Sequence, residues 1–266
     1  MGRRAIRDKV AIVTGASSGI GRATALALAS QGAHVALAAR NEAALHEVAQ
    51  EIQALGRQAL VLPTDVTDRK QVDALVAETV ERWGRVDILV ANAGQYIRCP
   101  VVELEVADVE RAMAVNFYGP LYGALAVLPH MLERGSGHLV FVSSLDGKKG
   151  LPDDAPYVTS KFALCGLGDV MRQELRGTGV AVTLILPGRI DTPLIEDLRV
   201  PWISPKFSPD LVARAIVRGI RRRRAEVIVP GFCALYVIVN AFSPRLADGF
   251  VRLCHLEGWE NASCDM

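Results

Sequence analysis

The sequence predicts an α/β fold, a doubly wound sheet of about seven parallel strands with helices on both faces. Three observations carry this expectation. Seven short apolar runs alternate with six segments of helical character along 266 residues. The first run breaks directly into a glycine-rich turn, TGASSGIG, ahead of an Ala- and Leu-rich segment. The composition, 50% hydrophobic and 22% charged with 23 Gly and 13 Pro, is that of a globular chain with a large core.

Residues 10–13 are continuously apolar, as expected of a strand buried on both faces. Residues 20–31 are helix-prone and residues 34–39 form the next apolar run, which completes one βαβ unit in about 30 residues. Asn41 caps a helix whose Leu45, Val48, Ala49 and Ile52 fall at i, i+3, i+4 and i+7, and Gly56 ends it. A third strand covers residues 59–62. Asp68 caps a helix with Val72, Leu75, Val76, Thr79, Val80 and Trp83 on one stripe, and residues 88–91 give the fourth strand. Helices are expected over 106–131, 157–176 and 209–221, and strands over 139–142, 181–186 and 227–229. No repeat, low-complexity tract or linker divides the chain. Residues 1–266 are therefore expected to form one dinucleotide-binding and catalytic unit of Rossmann type, with ligands at the carboxyl ends of the strands.

Composition also narrows the partners. Thirty Lys and Arg against 29 Asp and Glu leave a net charge of +1, so no overall field steers the protein onto nucleic acid. The five cysteines, Cys99, Cys165, Cys233, Cys254 and Cys264, contain no CxxC pair, and the five histidines lack zinc-ligand spacing. No metal site is expected, and free thiols suit a cytoplasmic protein. The amino terminus lacks the apolar stretch of a secretory signal, and Ile6 stands where a myristoylation signal at Gly2 needs Ser or Thr. Residues 227–242 are the most apolar stretch, but Pro230, Gly231 and Asn240 interrupt it, so no transmembrane helix is expected.

The turn Gly15, Ser17, Ser18, Gly19, Ile20 and Gly21 is the candidate cofactor cradle, because glycines let backbone approach a pyrophosphate lying on helix N-terminal amides. Two other patterns overlap it. Gly15, Ser17 and Gly19 satisfy the GxSxG elbow of serine hydrolases, but that elbow follows several strands and this turn closes the first. A Walker A loop is excluded, since Arg22 and Ala23 follow Gly21 in place of Lys and Ser/Thr. At the end of the second strand, Ala38 and Ala39 carry no charge and Arg40 follows, which suits a ribose 2′-phosphate. NADP(H) is expected, with NAD(H) as the alternative.

Tyr157 and Lys161 stand four apart on a helical segment, hence on one face. An ammonium near a phenol favours phenolate and brings a group of ordinary pKa about 10 toward the range of acid–base work. These residues are not isolated. TGASSGIG, Asp65-Val66, NAG (Asn92, Ala93, Gly94), Asn116 in VNFYG, Ser143-Ser144, YVTSK (Tyr157 to Lys161) and PGRIDT (Pro187 to Thr192) occur in that order. The series resembles the short-chain dehydrogenase/reductase family, in its shorter-subunit branch, over residues 9–192.

The resemblance implies that Tyr157 is the general acid/base, and that Lys161 lowers its pKa and holds the nicotinamide ribose. It implies that Ser144 hydrogen-bonds the substrate carbonyl and that Asn116 kinks its helix to hold a water leading to Lys161. Asp65 and Val66 would meet the adenine, Asn92, Ala93 and Gly94 the adenosine side, and Pro187, Gly188, Ile190 and Thr192 the nicotinamide end. Departures occur at Asp146 and Lys148-Lys149, where relatives usually carry a small residue after the serines. Ser18 likewise stands where NADP-preferring relatives often carry a second basic residue. The expected activity is interconversion of a carbonyl and a secondary alcohol by a homodimer or homotetramer. The competing reading is a non-catalytic NADP(H)-binding regulator on the same fold.

Beyond Thr192 the pattern fades. Residues 193–225 are expected to supply a substrate lid and the helix after it. The lid's Leu194, Ile195, Leu198, Trp202, Ile203 and Phe207 suit a lipophilic substrate. Residues 230–266 form a carboxyl-terminal extension expected to close the site or contact a second subunit. The run Arg221–Arg224 directly before the last strand is expected to be a solvated helix end with a subunit contact, the alternative being peripheral contact with a membrane surface.

Overall fold

The computed structural model describes residues 6–260; Gly2 and Cys264 lie outside them. Seven strands form one parallel sheet: β1 (Val10–Thr14), β2 (His34–Ala39), β3 (Ala59–Pro63), β4 (Ile88–Ala91), β5 (Gly137–Val142), β6 (Val180–Pro187) and β8 (Glu226–Val229). Their spatial order is β3-β2-β1-β4-β5-β6-β8. Val13 is in register with Leu37 on one side and Val90 on the other. The winding therefore reverses between β1 and β4, which opens a crevice at their carboxyl ends.

Alternation along the strands divides the core. Ala11, Val13, Val35 and Leu37 face α1 (Gly19–Ser30), α2 (Glu42–Ala54) and α7 (Pro209–Arg222). Ile12, Ala36, Leu89, Leu139 and Phe141 face α3 (Arg69–Trp83), α5 (Gly119–Glu133) and α6 (Ala155–Glu174). Asn41 and Asp68 cap α2 and α3, accepting from Ala44 N and Lys70 N. Gly84, at φ 69°, ends α3 in the left-handed conformation that glycine adopts without steric cost.

The expected single helix over 106–131 is two helices joined by a π-turn. α4 (Val106–Met113) passes into Ala114–Tyr118 and then into α5. By length and composition Val106–Glu133 could cross a membrane. It lies instead in the helical layer, with Gly119, Gly123, Ala124, Val127 and Met131 buried on the sheet side. Among the described residues no other helix meets that length and composition.

The carboxyl-terminal region holds α8 (Ala234–Phe242), α9 (Pro244–Cys254) and a small antiparallel ribbon of β7 (Leu198–Arg199) and β9 (Trp259–Glu260). The basic run lies before the last strand, where the sequence puts it. It ends α7 ahead of β8, where Arg221 donates to Gln31 Oε1 at 2.6 Å and Arg223 to Gly179 O at 2.6 Å. Strand β8 carries the chain from there to the carboxyl ends of the strands, so α8 begins a strand's length away.

Candidate active site

The turn after β1 is closed by contacts that only glycine permits. Gly15 and Gly19 have φ of 65° and 52°. A Cβ on Gly15 would lie 2.9 Å from Ala93 Cα, and one on Gly21 would lie 2.0 Å from Gly15 O. The turn is tied to the segment after β4: Thr14 Oγ1 accepts from Asn92 N at 3.0 Å and Ala93 N at 3.1 Å, and Asn92 Nδ2 donates to Thr14 O at 3.0 Å. The Ser18 side chain makes no capping bond to α1, so side chains leave the first amides of that helix open to an anion.

These elements line one end of a cleft of about 1460 Å³ at the carboxyl ends of the strands. Gly15, Ser17, Ser18, Gly19, Ile20, Arg40, Asp65, Val66, Asn92, Ala93 and Gly94 form that end. Ser144, Tyr157, Lys161, Pro187, Gly188, Ile190 and Thr192 line the cleft toward β5 and β6. Two expected residues do not line it. Gly21 packs beneath the turn, and Asn116 is fully buried in the π-turn. Arg40 is exposed at the cleft edge and makes no hydrogen bond or ion pair among the described residues. Thr67 N and Oγ1 donate to Asp65 at 2.9 and 2.8 Å and hold its carboxyl below the ordinary range, with Arg40 adding to the effect. A glycine-rich turn, open helix amides and an edge cation fit a dinucleotide phosphate in chemistry and shape.

At the reacting end, α6 presents Tyr157 and Lys161 one turn apart, both buried, with Lys161 Nζ 5.4 Å from the phenol ring centre. Lys161 Nζ donates to Val142 O at 3.1 Å, and Ser143 Oγ donates to Lys161 O at 3.1 Å. The π-turn supplies the scaffold. Asn116 Oδ1 accepts from Gln95 N at 2.8 Å, while its Nδ2 donates to Gln95 O at 2.8 Å and Ser160 Oγ at 3.0 Å. Ser160 Oγ donates in turn to Tyr157 O at 2.6 Å. Asn116 thus fixes the backbone after β4 to α6 without touching the cleft.

Burial pushes the Tyr157 phenol up, and the charge of Asp146 pushes it further. Burial also brings Lys161 down to about 8. In the free protein, then, burial and Asp146 together hold the phenol above its ordinary range. The phenol keeps its proton at neutral pH, which makes it a donor there.

A polar group of which sequence reasoning found only Ser144 and Asp146 borders this centre. Ser144 Oγ donates to Asp146 Oδ2 at 3.0 Å, and Asp154 accepts from Tyr96 OH at 2.8 Å and Arg98 Nε at 3.1 Å. The Tyr96 ring meets Tyr157 edge-on at 4.9 Å. Burial, then the charge of Asp146, raises Asp154 to about 7. Residues 96 and 154 are far apart in sequence and belong to no local pattern, so only the fold pairs them.

The expected lid is present in part. Leu194, Ile195, Leu198 and Ile203 line the cleft, whereas Trp202 is exposed and Phe207 packs on the core and against Phe232. The opposite wall comes from α8 and α9, through Leu235, Tyr236, Val239, Leu246 and Phe250. The excess of apolar residues after the last strand was the one sequence signal for this wall.

The family model for short chain dehydrogenases matches residues 9–201. The chain is 40% identical over 220 residues to an uncharacterized oxidoreductase of Staphylococcus saprophyticus, covering 82% of this chain and 93% of that one. It is 34% identical over 256 residues to the ketoacyl reductase HetN of Nostoc sp., covering 93% of this chain and 89% of that one. A short chain dehydrogenase/reductase of Burkholderia phymatum, solved in complex with NAD, superimposes with a TM-score of 0.84 at 26% identity. That match covers 91% of this chain and 96% of the other.

Proposed function

The chain belongs to the short-chain dehydrogenase/reductase family, and from that premise we propose that it interconverts a carbonyl and a secondary alcohol with NADP(H), NAD(H) being the alternative cofactor. The observation that carries this reading is the convergence of Ser144, Tyr157 and Lys161 in the same cleft as the glycine turn and Arg40. The dinucleotide, when bound, supplies or takes up a hydride. The chain's own residues handle the charge that develops on the substrate oxygen.

In reduction, Tyr157 donates its phenolic proton to that oxygen, and Ser144 turns its hydroxyl from Asp146 to the same atom. Lys161, an ammonium below about pH 8, favours the phenolate that remains. Gln95, clamped by Asn116, holds the backbone facing this centre. The glycine turn and the amides of α1 take the pyrophosphate. Arg40 at the cleft edge suits a 2′-phosphate, and the relative solved with NAD keeps NAD(H) as the alternative. No group of three or more metal-ligating residues exists among the described residues, and the reading uses no metal.

The apolar lid and the α8–α9 wall favour a lipophilic substrate, and residues 193–225 and 230–266 act as lid segment and closing extension. Tyr118, Leu125 and Leu132 on α4–α5 and Phe162 and Val170 on α6 are exposed apolar side chains that suit cover by a second copy, as a homodimer or homotetramer in the cytoplasm.

The test follows NADPH and NADH oxidation by purified protein over small, aromatic and bulky ketones. Turnover is expected with NADPH, lowered about 10²–10⁴-fold in Tyr157→Phe and shifted toward NADH in Arg40→Ala. Tight NADPH binding with no turnover across the panel would instead support a regulator on the same fold.

A further inference from the structure

Ser144 opens a 3₁₀ turn, Leu145–Gly147, just past the carboxyl end of β5, and Asp146 of that turn engages its hydroxyl twice. Asp146 N donates to Ser144 Oγ at 3.1 Å, and Ser144 Oγ donates to Asp146 Oδ2 at 3.0 Å. Both residues line the cleft. A bond from the same hydroxyl also lowers the Tyr157 phenol in part, so Ser144 stands at the reacting centre. A hydroxyl has a single proton to give. While the Asp146 carboxylate holds that proton, Ser144 can only accept. A carbonyl oxygen also only accepts, and so finds no donor at Ser144.

Protonation of Asp146 reverses this bond. The carboxyl then donates to Ser144 Oγ, and the serine proton is free to point into the cleft. Charges of both signs bear on the change. Lys161 from α6 and Arg189 from the segment after β6 favour the carboxylate, as does the bond from Ser144. Asp154, at the head of α6, is a like charge that opposes it. The remaining titratable groups that feel Asp146 are the Tyr96, Tyr157 and Tyr236 phenols, from the segment after β4, α6 and α8. Burial outweighs the cations and raises the Asp146 carboxyl, which brings its neutral form to a higher pH than an exposed carboxyl would have.

We propose that Asp146 is a positioning residue for Ser144: its neutral form releases the Ser144 proton to the substrate carbonyl, and its ionised form withholds it. The inference rests on the carbonyl-reductase reading, because the carbonyl it serves is the substrate of that reading. It is defined by ketone binding, however, and not by turnover. Asp146 itself touches no reacting atom and acts through the one proton of Ser144.

Calorimetric titration of the full-length protein with small, aromatic and bulky ketones tests this between pH 5 and pH 9. Oxidised NADP or NAD, whichever binds more tightly, is kept saturating, so that no hydride is available and binding alone is read. Asp154 and Lys161 titrate in the same range, at about 7 and about 8. Each protein is therefore read against its own Ser144→Ala counterpart, in which their effects persist and that of Asp146 should vanish. In the parent the advantage given by Ser144 is expected to fall from about fivefold at pH 5, the value of one hydrogen bond, to none at pH 9. In Asp146→Asn, whose amide can donate to Ser144 Oγ, it should stay at about fivefold throughout. Asp146→Ala, which removes the competing acceptor, should behave alike and covers the case of a misplaced amide. A Ser144 advantage that is absent or independent of pH in the parent, or that falls with pH in both Asp146 variants, overturns the proposal. The expected pattern without NADPH- or NADH-dependent turnover would overturn the reductase reading and leave Asp146 its role. Turnover with a constant Ser144 advantage would do the reverse, and failure of every ketone to bind would overturn both.

Discussion

Asp87 stands at the amino end of β4 with 4% of its surface exposed and three donors around its carboxylate. Val10 N donates at 2.9 Å, Lys9 Nζ at 3.1 Å, and Arg85 adds a third bond. Burial alone would raise this carboxyl, but the bonds from Arg85, Val10 and Lys9 outweigh it and hold Asp87 below its ordinary range. A depressed carboxyl contributes stability above its unfolded value and loses it as pH falls through the folded one. Asp87→Ala is expected to cost about 2 kcal/mol at pH 7, since both cations are partly exposed, and markedly less near pH 3. Urea unfolding of both proteins at the two pH values checks this. Lys161 matters for activity instead: burial brings it down to about 8, so it loses its charge as pH rises through that value. For carbonyl reduction, kcat/KM is expected to fall about tenfold per pH unit above that point, which a pH–rate profile would read directly. A profile flat to pH 10 would remove Lys161 from its assigned role. At this scale the sequence exposed Tyr157 and Lys161 through their spacing. It hid Tyr96, Asp154 and Arg189, whose partners lie on other elements.

Among the elements, the glycine turn and the π-turn position the site by different means. Gly21 does not touch the cleft, yet a Cβ there would meet Gly15 O at 2.0 Å and Asn92 Nδ2 at 2.6 Å. Asn92 Nδ2 donates to Thr14 O at 3.0 Å and to Gly15 O at 3.4 Å, so neither yields easily. Gly21→Ala is expected to lower stability by about 1–3 kcal/mol and to weaken NADPH binding more than tenfold, measured by thermal melting and by quenching of protein fluorescence. An unchanged affinity would mean that the turn relaxes without moving the amides of α1. The π-turn widens the helix by one residue, so that Asn116 faces Gln95 and Ser160 rather than its own helical ladder. Apolar periodicity alone describes 106–131 as one helix, because a single inserted residue barely disturbs the pattern. The expectation of a kink came from the family resemblance at Asn116.

For the whole molecule, the carboxyl-terminal extension ties back to the sheet at several separated points. Asn240 Nδ2 donates to Lys148 O at 3.1 Å, Lys149 pairs with Asp248, and Arg189 and Arg98 donate to Leu256 O and Glu257 O. The dinucleotide end of the cleft is built without it. Truncation after Gly231 is therefore expected to leave NADPH affinity within about threefold, while KM for bulky ketones rises more than tenfold, since a whole apolar wall is removed. Loss of both together would mean that the extension supports the sheet and not the substrate alone. The same extension leaves Phe242 and Leu253 exposed, because α8 and α9 turn only part of their apolar surface to the cleft.

The sequence by itself determined the seven-stranded parallel sheet and the order of the motifs along it. Those features rest on local signals: strand-length apolar runs, capping residues and glycines whose backbone no other residue tolerates. Only the tertiary structure decided what surrounds the reacting atoms. It moved Trp202 out of the cleft and made α8 and α9 a wall of the same cleft that Leu194, Ile195, Leu198 and Ile203 line. It also set Tyr157 above its ordinary pKa, since burial and the carboxylate of Asp146 depend on packing that no stretch of sequence contains.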